Sequence, residues 1–244
     1  VGSTNGEWAV LAQARAGALD STTQTNYLAN LRTYVQQWGG KLDQSADQTL
    51  HTEYSRVVLA LTSLGEDAEH FQVGDVTYDL VVPLLEASKN TGGSYAYQVS
   101  EQGNNGTIWA LIALDSDNYR DDPEGNEARA AWIDLLIEKQ QSDGNWPIYN
   151  PDQVDTGSGS ELGGVDVCAM AVQALAPYYL NESRFAALDT VHTYNELKKT
   201  VDDAVAFLST SQNSTGGYGS AESSAQVIVA LAALGRDAAT DSAF

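Results

Sequence analysis

Two kinds of amphipathic run alternate along the chain. The shorter kind is alanine-rich, begins at 4–12 and returns at 52–61, 105–114, 166–175 and 222–231. The longer kind, more polar, falls at 25–38, 74–90, 125–141 and 195–212. In both, apolar residues recur three and four apart, the spacing of one helix face, and no convincing period of two appears. Glycines close several runs, at Gly17, Gly39-Gly40 and Gly65, where a helix end favours a left-handed residue. The pattern predicts about nine helices and no strands.

Set in register without gaps, the five short segments give a repeat of about fifty residues, each unit one long and one short helix. The ninth position is Ala12, Ala60, Ala113, Ala174 and Ala230, the small residue that closely packed helices require. The first position is Thr4, Thr52, Asn105, Asp166 and Glu222, mostly helix-capping types, so Asp166 is expected to cap its helix. The first, fourth, fifth and eighth positions share one face. That face carries Glu7, Trp8, Ser55, Arg56, Asn105, Trp109, Asp166, Met170, Gln173, Glu222 and Gln226. Burying a polar group without a partner costs about 1–3 kcal/mol, so Arg56, Gln173 and Gln226 on inner helices imply a polar ring interior, where they either meet a ligand or satisfy one another across a narrow, water-filled centre. The expected ligand-binding set is Glu7, Trp8, Arg56, Trp109, Asp166, Met170, Gln173, Glu222 and Gln226.

A second element recurs between long and short helices. Gln140 to Trp146 and Gln212 to Tyr218 both read Gln-x3-Gly-x-aromatic, and Lys89 to Tyr95 is a variant with Lys for Gln. The glycine permits a tight turn, the ring covers the joint, and the Gln amide can donate to one backbone end and accept from another. Its role is expected to be structural.

These turns, joined to short alanine-rich helices, resemble the α/α toroid superfamily: squalene and oxidosqualene cyclases, protein prenyltransferase β subunits, and the cobalamin carriers intrinsic factor and transcobalamin. The resemblance spans nearly the whole chain. It implies an all-α, partial α6/α6-type barrel of alternating outer and inner helices, about four and a half repeats in a single domain over 1–244.

The activities of the superfamily can be compared at Asp166. Cyclases carry Asp-x-Asp-Asp there, whereas this chain has Gly164 and Val167 beside Asp166, so the neighbouring acids that tune a proton donor are missing. Prenyltransferases carry Asp-x-Cys, matched by Asp166-Val167-Cys168, which would make both residues zinc ligands; the histidine they need on the last inner helix is missing from Glu222 to Gln226. Cobalamin carriers share an Asp followed closely by Ala-Met-Ala, as in Asp166 with Ala169-Met170-Ala171, which implies a corrinoid ligand in or at the mouth of the cavity. Their following β domain has no counterpart here.

Composition narrows the partners. A net charge of −21, with 12 Lys and Arg against 33 Asp and Glu, repels phosphate backbones and argues against nucleic acid. No run reaches the roughly 18 apolar residues of a membrane span. The single Cys168 makes no internal disulfide. The start at Val1 and the wealth of Asn, Gln, Ser, Thr and Tyr suggest a domain cut from a longer exported or surface protein, and a monomer. The expected function is non-catalytic binding of a small polar molecule or of a following domain. The alternatives are a degenerate cyclase or prenyltransferase-like enzyme with Asp166 as acid, and a structural adhesion repeat. Two loops stand out: 147–164 as a flap, and the carboxylate-rich 115–124 as a solvated loop, since Arg120 replaces the glycine of a calcium-binding EF-hand.

Overall fold

The computed structural model describes residues 6–42, 51–87, 102–148 and 164–244. The variant turn at 89–95 and nearly all of the expected flap lie outside them. Helices α1 (Gly6–Arg15), α3 (His51–Ser63), α5 (Gly103–Asp115), α7 (Val165–Tyr179) and α10 (Ala221–Ala233) are the short alanine-rich segments. The longer helices are α2 (Ser21–Gln37), α6 (Pro123–Lys139) and α9 (Tyr194–Ser211), with short α4 (Val82–Ala87) and α8 (Glu182–Ala186) between elements. The chain is thus mostly helical.

The short helices pack in chain order, α1 on α3, α3 on α5, α5 on α7 and α7 on α10, while α6 lies on α5 and α9 on α7. Alanine makes the close approach possible. Ala60, Ala113, Ala174 and Ala230 of the ninth position are buried. Ala12, on the first helix of the series, is exposed.

The run at 74–90 is not one helix. Strands β1 (Phe71–Val73) and β2 (Val76–Tyr78) pair antiparallel across Gly74-Asp75, with Phe71 opposite Tyr78 and Val73 opposite Val76. Gly74 takes φ 61°, and such a two-residue turn matches the twist of paired strands. Phe71 and Val73 point into the core and α2 packs on β1, so the hairpin fills a place where a long helix was expected.

The capping expectation also shifts. Helix α10 is capped by Ser220, whose side chain accepts from Ser223 N at 2.9 Å, and α7 by Gly164 without a side-chain bond. Thr52, Asp166 and Glu222 are each the second residue of their helices. A cap needs extended backbone ahead of the first turn, and these helices begin before the apolar pattern does. Asp166 stands in the first turn, where a negative charge suits the helix dipole.

The two described Gln turns form, with the amides shown as donors rather than as donor and acceptor. Gln140 and Gln212 end α6 and α9 with nearly the same backbone, ψ 133° in both. Gln140 Nε2 donates to Gly144 O at 3.0 Å and to Thr200 O of α9 at 2.7 Å; Gln212 Nε2 donates to Gly216 O at 3.1 Å. Trp146 is fully buried, its Nε1 donating to Leu136 O at 2.8 Å.

The loop after α5 is not simply solvated. Arg129, buried on α6, donates to Asp115 Oδ1 at 2.8 Å and to the carbonyls of Leu114, Tyr119 and Arg120. Tyr178 and Arg184 reach the same Asp115 oxygen, at 3.1 and 2.8 Å. Arg120 pairs with Asp122 and Glu124. The loop carboxylates Asp115, Asp122 and Glu124 are therefore engaged by arginines rather than gathered around a cation.

Candidate functional site

The fifth repeat position supplies one side chain from each short helix: Trp8, Arg56, Trp109, Met170 and Gln226. All five line a single open cavity of about 470 Å³, together with Thr52 and Asn105 from the first position. Helical geometry explains the convergence. First and fifth positions lie 40° apart on a helix, so helices packed side by side in the same register point the same strip inward.

One wall is aromatic. The Trp8 and Trp109 rings lie 4.5 Å apart between centroids, tilted by 56°. Apart from Met170, the remainder is polar and rich in donors. Arg56 is 8% exposed and ion-paired with Glu53, and its Nε has no hydrogen-bond partner. Gln173 Nε2 donates to Gln226 Oε1 at 2.9 Å, which orients the Gln226 amide so that its NH2 group remains to donate. Gln102 Nε2 donates to Thr52 Oγ1 at 3.3 Å, and Gln102 Oε1 accepts from Thr52 N at 2.9 Å, so the Thr52 hydroxyl keeps its own proton to give.

Four expected residues fall elsewhere. Glu7, at the fourth position, is buried in the packing of α1. Asp166 and Glu222 are exposed and do not line the cavity. Gln173 acts on the cavity only through Gln226. The fourth position, 60° from the first on its other side, has turned into the helix–helix seam, where Ser55, Ile108 and Ala169 are also buried.

No protein-family model, curated protein or solved structure matches the chain.

The chemistry that the resemblance to cyclases and prenyltransferases would place at Asp166 and Cys168 lacks its geometry. Asp166 is exposed, whereas Cys168 is fully buried with Sγ 3.6 Å from Ala204 O and 3.8 Å from Gly144 O. The thiol packs against α9 and the Gln turn, and burial drives its pKa far up, opposing the thiolate a metal ligand needs. The two residues form no zinc pair, and Asp166 cannot donate a proton within the cavity from where it stands.

Two further features went unread in the sequence. A larger groove, about 730 Å³, runs along α6 beside 187–191 and is lined by Glu127, Glu138 and Asp189 among small apolar residues. Asp134, also on its wall, is occupied by Val191 N, His192 N and His192 Nδ1 at 2.8–3.0 Å. Asp67, Glu69 and His70 lie within 4.8 Å of one another, but Asp67 bonds His70 and the 69 and 70 amides, and Glu69 accepts from Arg120 N. Asp134, Asp67 and Glu69 are thus used in holding loops.

Proposed function

We propose that the chain is a partial α/α toroid that binds a small polar ligand in the cavity of its inner helices without acting on it chemically. The observation that carries this reading is the convergence of the fifth-position side chains of all five short helices on one cavity. Its volume, about 470 Å³, falls in the range of small-molecule pockets, roughly 300–1,000 Å³. The tilted tryptophan pair offers aromatic faces and edges to a planar group. The donors of Arg56, Gln226 and Thr52 favour carbonyl, carboxamide or carboxylate oxygens on its rim.

A corrinoid, a flat macrocycle edged with carboxamides, fits this chemistry. It would overfill the cavity and is proposed to rest at the mouth, with its ring edge toward Trp8 and Trp109. Such a domain suits an exported or surface protein, where a companion domain can cover the exposed side of the ligand.

The test is a fluorescence titration of the protein with cobinamide and cobalamin, alongside calorimetry. Binding is expected to quench tryptophan emission, shift the corrinoid absorption band, and weaken in Trp109→Ala and Arg56→Met. Heat with an unrelated planar amide but none with corrinoids would retain the cavity and discard the corrinoid. Unchanged binding in both variants would discard the cavity.

A further inference from the structure

A smaller, polar pocket of about 270 Å³ lies between the 118–121 turn, the first turns of α6 and the α8 segment, and shares no residue with the cavity of the short helices. Two of the chain's 12 basic side chains, Arg129 and Arg184, meet there. Both bond the same oxygen of Asp115, each at 2.8 Å, so two guanidinium groups share one carboxylate and one positive charge is left over. Arg129 is buried, and its three nitrogens are spent on Asp115 and on the carbonyls of Leu114, Tyr119 and Arg120. Arg184 is only partly buried and gives one Nη to Asp115, which leaves further N–H groups to donate. Its guanidinium carbon lies 5.1 Å from the centre of the Tyr178 ring, which is fully buried and so fixes where the plane of the fork stands.

Three asparagines add donors. Among the described residues the side-chain amides of Asn118 and Asn126 make no hydrogen bond, and Asn181 uses only its oxygen, accepting from Arg184 N at 3.1 Å. Each therefore keeps an NH2 group to give. Ala187 and Leu188 supply an apolar side to the same pocket.

We propose that this pocket binds a small monocarboxylate, its two oxygens taken by Arg184 and the asparagine amides and its short carbon end resting against Ala187 and Leu188. A held guanidinium presents paired N–H groups in one plane, the match for a carboxylate. The charge balance selects a monoanion. One positive charge is available, while Asp121 stands exposed on the pocket wall and the adjoining groove on α6, which shares Asn126 and Ala187 with it, carries Glu127 and Asp189. A dianion would meet that repulsion twice over. A divalent cation, which needs several oxygen ligands, would meet the two arginines. The site is separate from the inner-helix cavity, and the proposal stands whatever that cavity holds.

The test is a nitrogen-15 NMR titration of the whole chain with sodium propanoate, sodium chloride holding the ionic strength constant. The Arg184 Nε–H signal and the side-chain NH2 signals of Asn118, Asn126 and Asn181 are expected to move together and to saturate. Arg184→Gln should weaken binding roughly tenfold or more, the loss of a charged hydrogen bond. Because Arg184 also holds Asp115, two milder variants accompany it. Asn126→Ala suits the α6 helix, and Asn118→Gly accepts the φ of 50° found there, so both keep the fold, which thermal unfolding verifies. Each is expected to weaken propanoate about threefold or more. The proposal is overturned if the shifts fail to saturate in the millimolar range, if chloride alone produces them, or if both milder variants bind as the parent does. Tighter binding of phosphate than of propanoate overturns the choice of a monocarboxylate, and a saturating response to calcium overturns the sign of the site.

Discussion

The two Gln turns offer a controlled comparison, because Gly144 and Gly216 have the same place in the motif and similar backbone, φ 91° and 81°. Replacing either by alanine forces a left-handed conformation that costs about 1–2 kcal/mol. The stiffer unfolded chain returns about 0.4–1 kcal/mol of this. At Gly216 nothing else opposes the methyl group, whose nearest neighbour is Gln212 Nε2 at 3.9 Å. The net cost there is about 1 kcal/mol. At Gly144 the same methyl group would lie 2.4 Å from Asp203 O and 2.7 Å from its carbonyl carbon, both backbone atoms of α9. Helix α9 must withdraw, adding an overpacking cost of about 1–3 kcal/mol. Withdrawal also strains the Gln140 bond to Thr200 O, worth about 1 kcal/mol. Gly144→Ala should therefore cost about 3–5 kcal/mol in total, some 2–4 kcal/mol more than Gly216→Ala. For a chain of this size the gap corresponds to a melting-temperature difference of about 4–16 °C. Urea unfolding followed by tryptophan fluorescence measures it, Trp132 and Trp146 being fully buried reporters. Equal losses in the two variants would refute the claim that the turn clamps α9.

Other outcomes follow from buried and paired groups. Cys168, buried with its pKa driven up by desolvation, should resist thiol reagents in the native state and react at a rate set by opening of the fold; labelling as fast as in denaturant would contradict its position. Asp115→Ala strips one carboxylate from Arg129, Arg184 and Tyr178 and should cost about 3–5 kcal/mol in urea unfolding, the range for breaking a buried ion pair. His70 Nδ1 donates to Asp67 Oδ2 at 2.8 Å, and this bond and charge raise the His70 pKa while lowering that of Asp67. With the folded pKa raised, the His70 contribution is full below about pH 6.5, the ordinary value, and is lost as pH climbs through the folded one. An NMR titration should place His70 above its value in Asp67→Asn; identical titrations would remove the pairing.

What the sequence made legible was the repeat and the strip facing the cavity. Gapless alignment put Trp8, Arg56, Trp109, Met170 and Gln226 in one column, and similar packing at each step turned that column to a common space. Extending the strip to the fourth position failed because a helix face about 100° wide cannot be wholly inward when neighbours press on both sides. Glu7 and Ser55 fell to the seam. Asp166 drew attention as an acid two residues from the only cysteine, yet helix positions two apart diverge by about 200°, so Asp166 and Cys168 take different environments. The hairpin was hidden by length: three-residue strands are too short to show a period of two, and Gly74-Asp75 was the remaining signal.

The Arg129 cluster could not be read for a different reason. An arginine inside a helical run looks like a solvated charge, and its partners Leu114, Tyr119 and Arg120 contribute carbonyls, which leave no mark in the side-chain sequence. The exposed residues of the two end helices illustrate the converse. Ile228 and Ala12 carry the same apolar residue types as their buried equivalents, so composition treats all repeats alike. Only the packing order separates them, because a linear series of alike units has a first and a last member, and each leaves uncovered the flank that its neighbours cover. The exposure of Ile228 and of Ala12 is thus a property of the arrangement rather than of either helix.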